Sequence, residues 1–278
     1  MQLDVDVSEC QHAPMASESP RYLYTEYVPR IEADKPSLWW VGARFMRAFS
    51  RYQDLEQRIA QVAASVRELP TVRVAMADAG RANPPLHMSA GDFATGQDML
   101  DLALLTSEVL HHLRSAVDYL VYNVAWADSG QRQDQTQFPV CGMKSDFDGK
   151  GVQNRMRGLT AVHKSWIEAV QPFDGVKWTS QLATLSNTDK HRFVLETAPS
   201  LRFRVDLHAA SPDPDDPTMA NLPVDQTRLV CRVVPSQGAY RDVLVIIGEI
   251  FQGSADLINK FFGEAGLSPL QVGVSPNA

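Results

Sequence analysis

Residues 96–127, GQDMLDLALLTSEVLHHLRSAVDYLVYNVAWA, decide the predicted fold. Apolar side chains recur there at steps of three and four, which places them on one broad face of a helix. This face comprises Leu102, Leu105, Val109, Leu110, Leu113, Val117, Leu120 and Val124. The opposite face is polar and carries Asp101, Glu108, His111, Arg114, Ser115, Asp118 and Tyr122. Because such a helix buries its apolar face, the segment predicts the central helix of a bundle.

Further helices are predicted on both sides of this segment. Apolar residues from Leu38 to Val66 keep the same spacing, and Pro70 ends that pattern. Helical patterns also cover residues 152–170, 177–191 and 242–262. The sequence therefore predicts a mainly α fold, a helical bundle of about five helices.

The periodicity changes after the helix at 177–191. Residues 193–196, 201–207 and 228–234 alternate apolar and polar side chains, which predicts a small antiparallel β appendage. Thr71–Ala75 is one further short strand. One domain is favoured over two because the C-terminal helix belongs to the bundle. The predicted ranges are an irregular arm (1–36), the helical bundle (37–192), the β insertion (193–236), the C-terminal helix of the bundle (237–266) and a tail (267–278).

Composition limits the classes of function. Hydrophobic residues make up 44% of the 278-residue chain, enough for a real core, and the net charge of −7 excludes a global basic field for nucleic acid. Polyanion binding would have to be local. Cys10, Cys141 and Cys231 lack zinc or redox spacing, which fits a reducing compartment. The sequence has no signal-peptide pattern and no long apolar run, so we expect a cytoplasmic protein that does not bind membranes.

Several catalytic motifs are missing from the sequence. It contains no P-loop, no dinucleotide-binding glycine motif, no H-E-x-x-H and no G-x-S-x-G. These absences argue against P-loop nucleotide hydrolysis, Rossmann-type redox chemistry, zincin proteolysis and α/β-hydrolase chemistry.

Two polar segments are candidate functional sites. Arg114 and Asp118 stand four residues apart on the central helix, where they favour an ion pair. Asn187-Thr188-Asp189-Lys190-His191-Arg192 places four ionisable side chains in succession at a helix end. Basic residues there suit the helix dipole, but a histidine among charges is also a candidate acid or base near an anionic substrate. We expect the two segments to form one pocket.

Glu108 and His111 have the spacing that lets two helical side chains ligate one metal. Ferritin-like di-iron bundles need this motif on two helices and two further glutamates, whereas this chain has it once. The alternative is a solvated helix face with a weak Glu–His pair. We therefore expect no cofactor and no metal, with Glu108 and His111 as ligands if one binds.

Four stretches resemble a widespread group of uncharacterised bacterial proteins. They are HHLRSAVDY (111–119), TQFP (136–139), QPF (171–173) and SNTDKHR (186–192). The resemblance covers about residues 88–195, and its motifs mark a family without bringing a known activity. That group's motif is in turn similar, more weakly, to the Arg-x4–6-His motif of HEPN domains, small helical bundles of which many are metal-independent ribonucleases of toxin and antiphage systems.

The HEPN resemblance implies roles for individual residues. Arg114 would hold a phosphate, as the motif's arginine does. Tyr119 occupies the position of the motif's histidine, so proton transfer would fall to His111 or His191.

The leading hypothesis is a HEPN-like protein that binds RNA or nucleotide phosphate, with metal-independent cleavage as its further activity. Its catalytic residues would be Arg114, Asp118 and His191, and its binding residues Ser115, Tyr119, Asn187, Asp189, Lys190 and Arg192. The second hypothesis is a metal-dependent enzyme of the di-iron type that acts on a small molecule. The third is a non-catalytic interaction module whose polar stripe forms a homodimer interface.

Overall fold

The computed structural model describes residues 35–65, 71–77, 86–89, 95–191, 197–205, 211–222, 224–233 and 241–271. For residues 65, 71–72, 86–89, 188–191, 197–205 and 224–233 it describes the backbone alone. The fold is mainly helical with small antiparallel sheets, which confirms the predicted fold class. The helices of these ranges are α1 (Trp39–Ser65), α2 (Gly96–Ser129), α3 (Lys144–Phe147), α4 (Lys150–Arg155), α5 (Ala161–Glu168), α6 (Lys177–His191) and α7 (Val243–Glu264).

The chain divides into two compact units. Unit 1 takes in the described residues of 51–107 and 193–244, and unit 2 those of 35–50, 108–191 and 245–271. Helices α1 and α2 each contribute one part to each unit. Each unit therefore collects separate stretches of chain, and the ranges predicted from the sequence stay a prediction.

The core of unit 2 is formed by α1, α2 and α7. Phe45 of α1 and Leu113 and Val117 of α2 are fully buried, as their spacing predicts, and so is Phe251 of α7. The rings of Phe45 and Phe251 meet edge to face, with centroids 5.3 Å apart. Because aromatic pairs prefer this geometry, the contact fixes α7 against the first part of α1.

The helix predicted over 152–170 is two helices, α4 and α5. Gly158 interrupts it with a φ of +89°, and a Cβ there would lie 2.9 Å from the Ala125 carbonyl oxygen. Thr160 then begins α5 as its N-cap, because its hydroxyl accepts a hydrogen bond from the His163 N–H at 3.2 Å. The break between α4 and α5, together with the short α3 in the preceding loop, raises the number of described helices above the five expected.

Unit 1 contains two antiparallel sheets. Strands β1 (Thr71–Ala75) and β2 (Leu86–Ser89) join β4 (Ser211–Pro212) and β5 (Met219–Leu222) in the order β2-β1-β5-β4. Strands β3 (Thr197–Val205), β6 (Val224–Val233) and β7 (Arg241–Asp242) form the second sheet, in the order β3-β6-β7. The sequence predicted only β1 and parts of β3 and β6, because β2, β4, β5 and β7 are too short to show alternation. The strand predicted at 193–196 lies outside the described residues.

Gly253 of α7 packs directly against the ring of the buried Trp178, so a Cβ at this position would overlap that ring. We expect Gly253→Ala to lower the free energy of unfolding by roughly 1–3 kcal/mol, because the core cannot accept the added methyl group. Gly263→Ala is the matched control, since it lies in the same helix with open space around its Cβ. It should be neutral or stabilise by up to about 1 kcal/mol. Urea denaturation that gives equal effects for both variants would contradict this packing.

Candidate functional site

Arg114 and Asp118, one turn apart in α2, form a bidentate ion pair that closes on the backbone of Phe138. Nε and Nη2 of Arg114 each donate to an oxygen of Asp118 at 3.1 Å. Nη2 also donates to the Phe138 carbonyl oxygen at 2.7 Å, and the Phe138 N–H donates to Asp118 Oδ1 at 3.0 Å. One ion pair thereby satisfies both backbone polar groups of a buried residue.

Gln171 holds the next part of the same loop. Its side chain is fully buried, and its Oε1 accepts from the Cys141 N–H at 2.9 Å. Its Nε2 donates to the carbonyl oxygens of Pro139 and Ile167, at 3.1 and 3.0 Å. Three of the four stretches that carry the family resemblance therefore meet at residues 138–141, which we call the clamped loop. They meet there because the backbone N–H and C=O groups of this loop need hydrogen-bond partners, which the side chains of Arg114, Asp118 and Gln171 supply.

The guanidinium of Arg114 is engaged in holding the clamped loop. Its side chain is buried, with 7% of the residue exposed, and its hydrogen bonds go to Asp118 and Phe138. The neighbouring Ser115 is half-buried. The geometry gives Arg114 and Asp118 a structural task, the fixing of the clamped loop, and their predicted catalytic role stays a prediction.

The end of α6 is described only in part. Asn187 is exposed, and the backbones of Asp189, Lys190 and His191 complete the last helical turn. The side chains of Asp189, Lys190 and His191, and the whole of Arg192, lie outside the described residues. Trp178 near the start of α6 stacks on Phe138 of the clamped loop, with ring centroids 6.1 Å apart. Since Asp189 follows Trp178 by eleven residues, it lies about 16 Å farther along the helix axis. The single pocket stays a prediction.

Tyr119, at the position of the HEPN histidine, faces a different neighbour from Arg114. Its hydroxyl accepts a hydrogen bond from Nη2 of Arg44 at 3.5 Å, and the Arg44 guanidinium carbon lies 5.4 Å from the centre of its ring. Arg44 Nη1 is also 3.4 Å from Nδ1 of His112. Because a guanidinium can only donate, Nδ1 is the acceptor in that contact. Arg44 of α1 is thus placed by two side chains of α2.

Arg44 lies at the centre of a surface that combines basic and aromatic side chains. We call it the basic face and define it by Trp40, Arg44 and Arg47 of α1 with His111, His112 and Tyr119 of α2. Trp40, Arg47, His111 and Tyr119 are exposed, whereas Arg44 and His112 are half-buried. Of these six residues, only His111 and Tyr119 are candidate site residues on the evidence of the sequence. The missed signal is the helical spacing of Trp40, Arg44 and Arg47, and only the pairing of α1 with α2 joins that stripe to the histidines.

The electrostatic character of the basic face is visible at His112. Burial lowers the pKa of its imidazole, and unfavourable charge interactions with His111, Arg44 and Arg47 lower it further. The carboxylate of Glu108 acts in the opposite direction, with a smaller effect. His112 is therefore neutral at pH 7 in a positive local field, although the whole chain carries a net charge of −7.

Glu108 and His111 do not gain a metal-binding neighbour in the described part of the chain. Within those residues, no three His, Cys, Asp or Glu side chains come together as ligands for one ion. The ring of His111 contacts the ring of His112, at a centroid distance of 5.6 Å.

His163 of α5 is a buried residue between two carboxylates, of which Glu264 keeps 52% of its side chain exposed. Its Nδ1 lies 2.7 Å from Asp128 Oδ2 on α2, and its Nε2 lies 2.5 Å from Glu264 Oε2 on α7. Burial disfavours the charged imidazole, but the hydrogen bonds to Glu264 and Asp128 outweigh it and raise the pKa of His163 above its ordinary value. Both ring nitrogens are occupied, so this histidine joins three helices and is not free to act on a substrate.

No described helix has the length and apolar character needed to cross a membrane. The known proteins offer no further guide to the site. Comparison with protein-family models, with curated proteins and with solved structures finds no match to this chain.

Proposed function

We propose that this protein binds RNA or another nucleotide phosphate on the basic face. The observation that carries the proposal is the placement of Arg44, 3.4 Å from His112 and 3.5 Å from the Tyr119 hydroxyl at the surface of an acidic chain. Among the described residues, no carboxylate forms an ion pair with Arg44 or Arg47. An arginine held in place without an acidic partner suits an external anion.

The two arginines favour phosphate over a carboxylate ligand on grounds of charge. Arg44 and Arg47 lie three residues apart in α1, so they follow one side of the helix at a spacing that adjacent charges of a polyanion can meet. A guanidinium binds phosphate oxygens in pairs, and each phosphate that is neutralised releases counterions. RNA carries a row of neighbouring phosphates that both arginines can contact, whereas a ligand with a single carboxylate has one charged group only.

Metal-independent cleavage of bound RNA is the further part of the proposal. Nδ1 of His112 already accepts from Arg44, so His112 positions the arginine that would hold the phosphate, and the proton transfer falls to His111 or His191, as the HEPN resemblance implies. The HEPN resemblance supports this activity and, with it, a place in a defence or toxin system. It is also the source of the catalytic roles proposed for Arg114, Asp118 and His191.

Fluorescence anisotropy with a labelled RNA tests the binding. We expect Arg44→Ala to weaken RNA binding about tenfold or more, because loss of one phosphate contact removes its counterion release and reduces the salt slope by about one. Arg157→Ala is the matched control, since Arg157 is an exposed arginine of unit 2 outside the basic face. It should bind like the wild type. A wild-type protein that does not bind RNA, or equal losses in both variants, would refute the proposal.

A further inference from the structure

Trp40 is an exposed aromatic residue on the basic face. It keeps 43% of its surface accessible, although tryptophan gains more than most side chains from burial. It precedes Arg44 by four residues in α1, so the two side chains emerge on the same side of the helix, about 6 Å apart at their Cβ atoms. A flat apolar ring thus stands beside the proposed phosphate-binding arginine.

The position of Trp40 is fixed by its surroundings. Its ring packs edge to face on Trp39, with centroids 4.6 Å apart. The Ser37 N–H donates to Oδ1 of Asn123 at 2.9 Å, and the fully buried Val41 follows Trp40 directly. The first turn of α1 is therefore attached to α2, and a ligand that stacks on Trp40 has little ordering of the backbone to induce.

Tyr119 has a different role from Trp40 on the same face. The Arg44 guanidinium lies over its ring, and its hydroxyl accepts a hydrogen bond from that guanidinium. Tyr119 therefore orients the arginine, and Trp40 offers the ring that is not already paired with a cation of the face.

We propose that Trp40 stacks an unpaired base of the nucleic acid whose phosphate Arg44 binds. The inference rests on the proposed function and adds its specificity-determining residue. Stacking on an aromatic ring needs the open face of a base, which a single strand presents and a duplex keeps between its neighbours. The basic face should therefore select a single-stranded segment over a duplex.

The test compares three labelled ligands of one sequence of about 12 nucleotides, a site size typical of single-strand binders. They are the single strand, its duplex and a strand of the same length that lacks bases. Wild-type protein should bind the single strand at least about tenfold more tightly than the other two. Trp40→Ala should weaken single-strand binding by about 5- to 150-fold and leave duplex binding unchanged, because the lost stacking involves unpaired bases only.

Two further variants separate stacking from folding and from charge. Trp40→Phe keeps an aromatic face and should retain most of the single-strand affinity. Arg44→Ala should weaken all three ligands together. If Trp40→Ala does not fold, the affinities of the wild-type protein for the single strand and for the strand without bases still test the inference.

Equal wild-type affinity for the single strand and for the strand without bases would overturn the inference. Unchanged binding in a folded Trp40→Ala variant would also overturn it. In both cases a loss of binding in Arg44→Ala would leave the proposed function intact. Absence of all RNA binding by the wild type would instead remove the proposed function, and this inference with it.

Discussion

Arg114→Ala should lower the free energy of unfolding by roughly 2–4 kcal/mol, the largest loss expected from the candidate site. The substitution removes the donor of the Phe138 carbonyl oxygen and leaves the Asp118 carboxylate without its bidentate partner. The Asp118 side chain keeps 26% of its surface exposed, so solvent reduces the cost below that of a fully buried pair. Urea denaturation followed by circular dichroism measures the change.

Two variants serve as controls for this prediction. Arg114→Lys keeps the charge but cannot reproduce the fork that reaches Asp118 and Phe138 together, so it should recover only part of the lost stability. Arg44→Ala removes a half-buried arginine whose side-chain contacts within the described part of the chain are with His112 and Tyr119, and it should change stability by less than about 0.5 kcal/mol. If Arg114→Ala stays as stable as the wild type and loses RNA binding, Arg114 is a phosphate ligand and the structural role given to it here is wrong.

The helices follow from the sequence where long periodic segments carry the signal. Helix α6 spans the predicted residues 177–191, and α2 begins at Gly96 as predicted. The break between α4 and α5 was missed because its causes are not periodic. It depends on the positive φ of Gly158 and on the hydrogen bond between the Thr160 hydroxyl and the His163 N–H. Single residues decide local conformation of this kind, and a periodicity judged over a window of many residues does not detect them.

The candidate site shows the same division between local and distant information. The Arg114–Asp118 pair was predictable because both residues lie on one helix, four positions apart. The attachment of that pair to Phe138 was not predictable, because the partner is a backbone group twenty residues away, and backbone groups do not depend on the type of residue. Arg44 was missed for a related reason, because its neighbours His112 and Tyr119 belong to another helix.

The convergence on the clamped loop changes how the family-like motifs are to be interpreted. Charged and amide side chains in such motifs suggest catalysis, yet Arg114, Asp118 and Gln171 all bond to the backbone of residues 138–141. Buried loops need such partners, because each unpaired backbone group costs free energy. A motif can therefore be specific for a fold, while ligand binding falls to exposed residues beside it.

His163→Gln should destabilise the protein by roughly 1–2 kcal/mol at about pH 6 and by less at about pH 9, since solvent screens the half-exposed Glu264 carboxylate. An imidazolium donates from both nitrogens and so satisfies both Asp128 and Glu264, whereas a neutral imidazole has one donor and a glutamine has no charge. The folded-state pKa of His163 is raised above its unfolded value. Its contribution is therefore complete below the unfolded pKa and is lost as the pH rises through the folded pKa.

The comparison of variant with wild type isolates this group from His112, whose lowered pKa gives the opposite pH dependence. Free energies of unfolding measured for both proteins between about pH 6 and pH 9 should therefore differ most at the acidic end. His111→Gln removes an exposed imidazole as the control and should change stability by less than about 0.5 kcal/mol. A constant difference between wild type and His163→Gln would mean that the histidine joins the helices as a neutral ring. The positive charge of His163 would then be excluded as the cause of the link between Asp128 and Glu264.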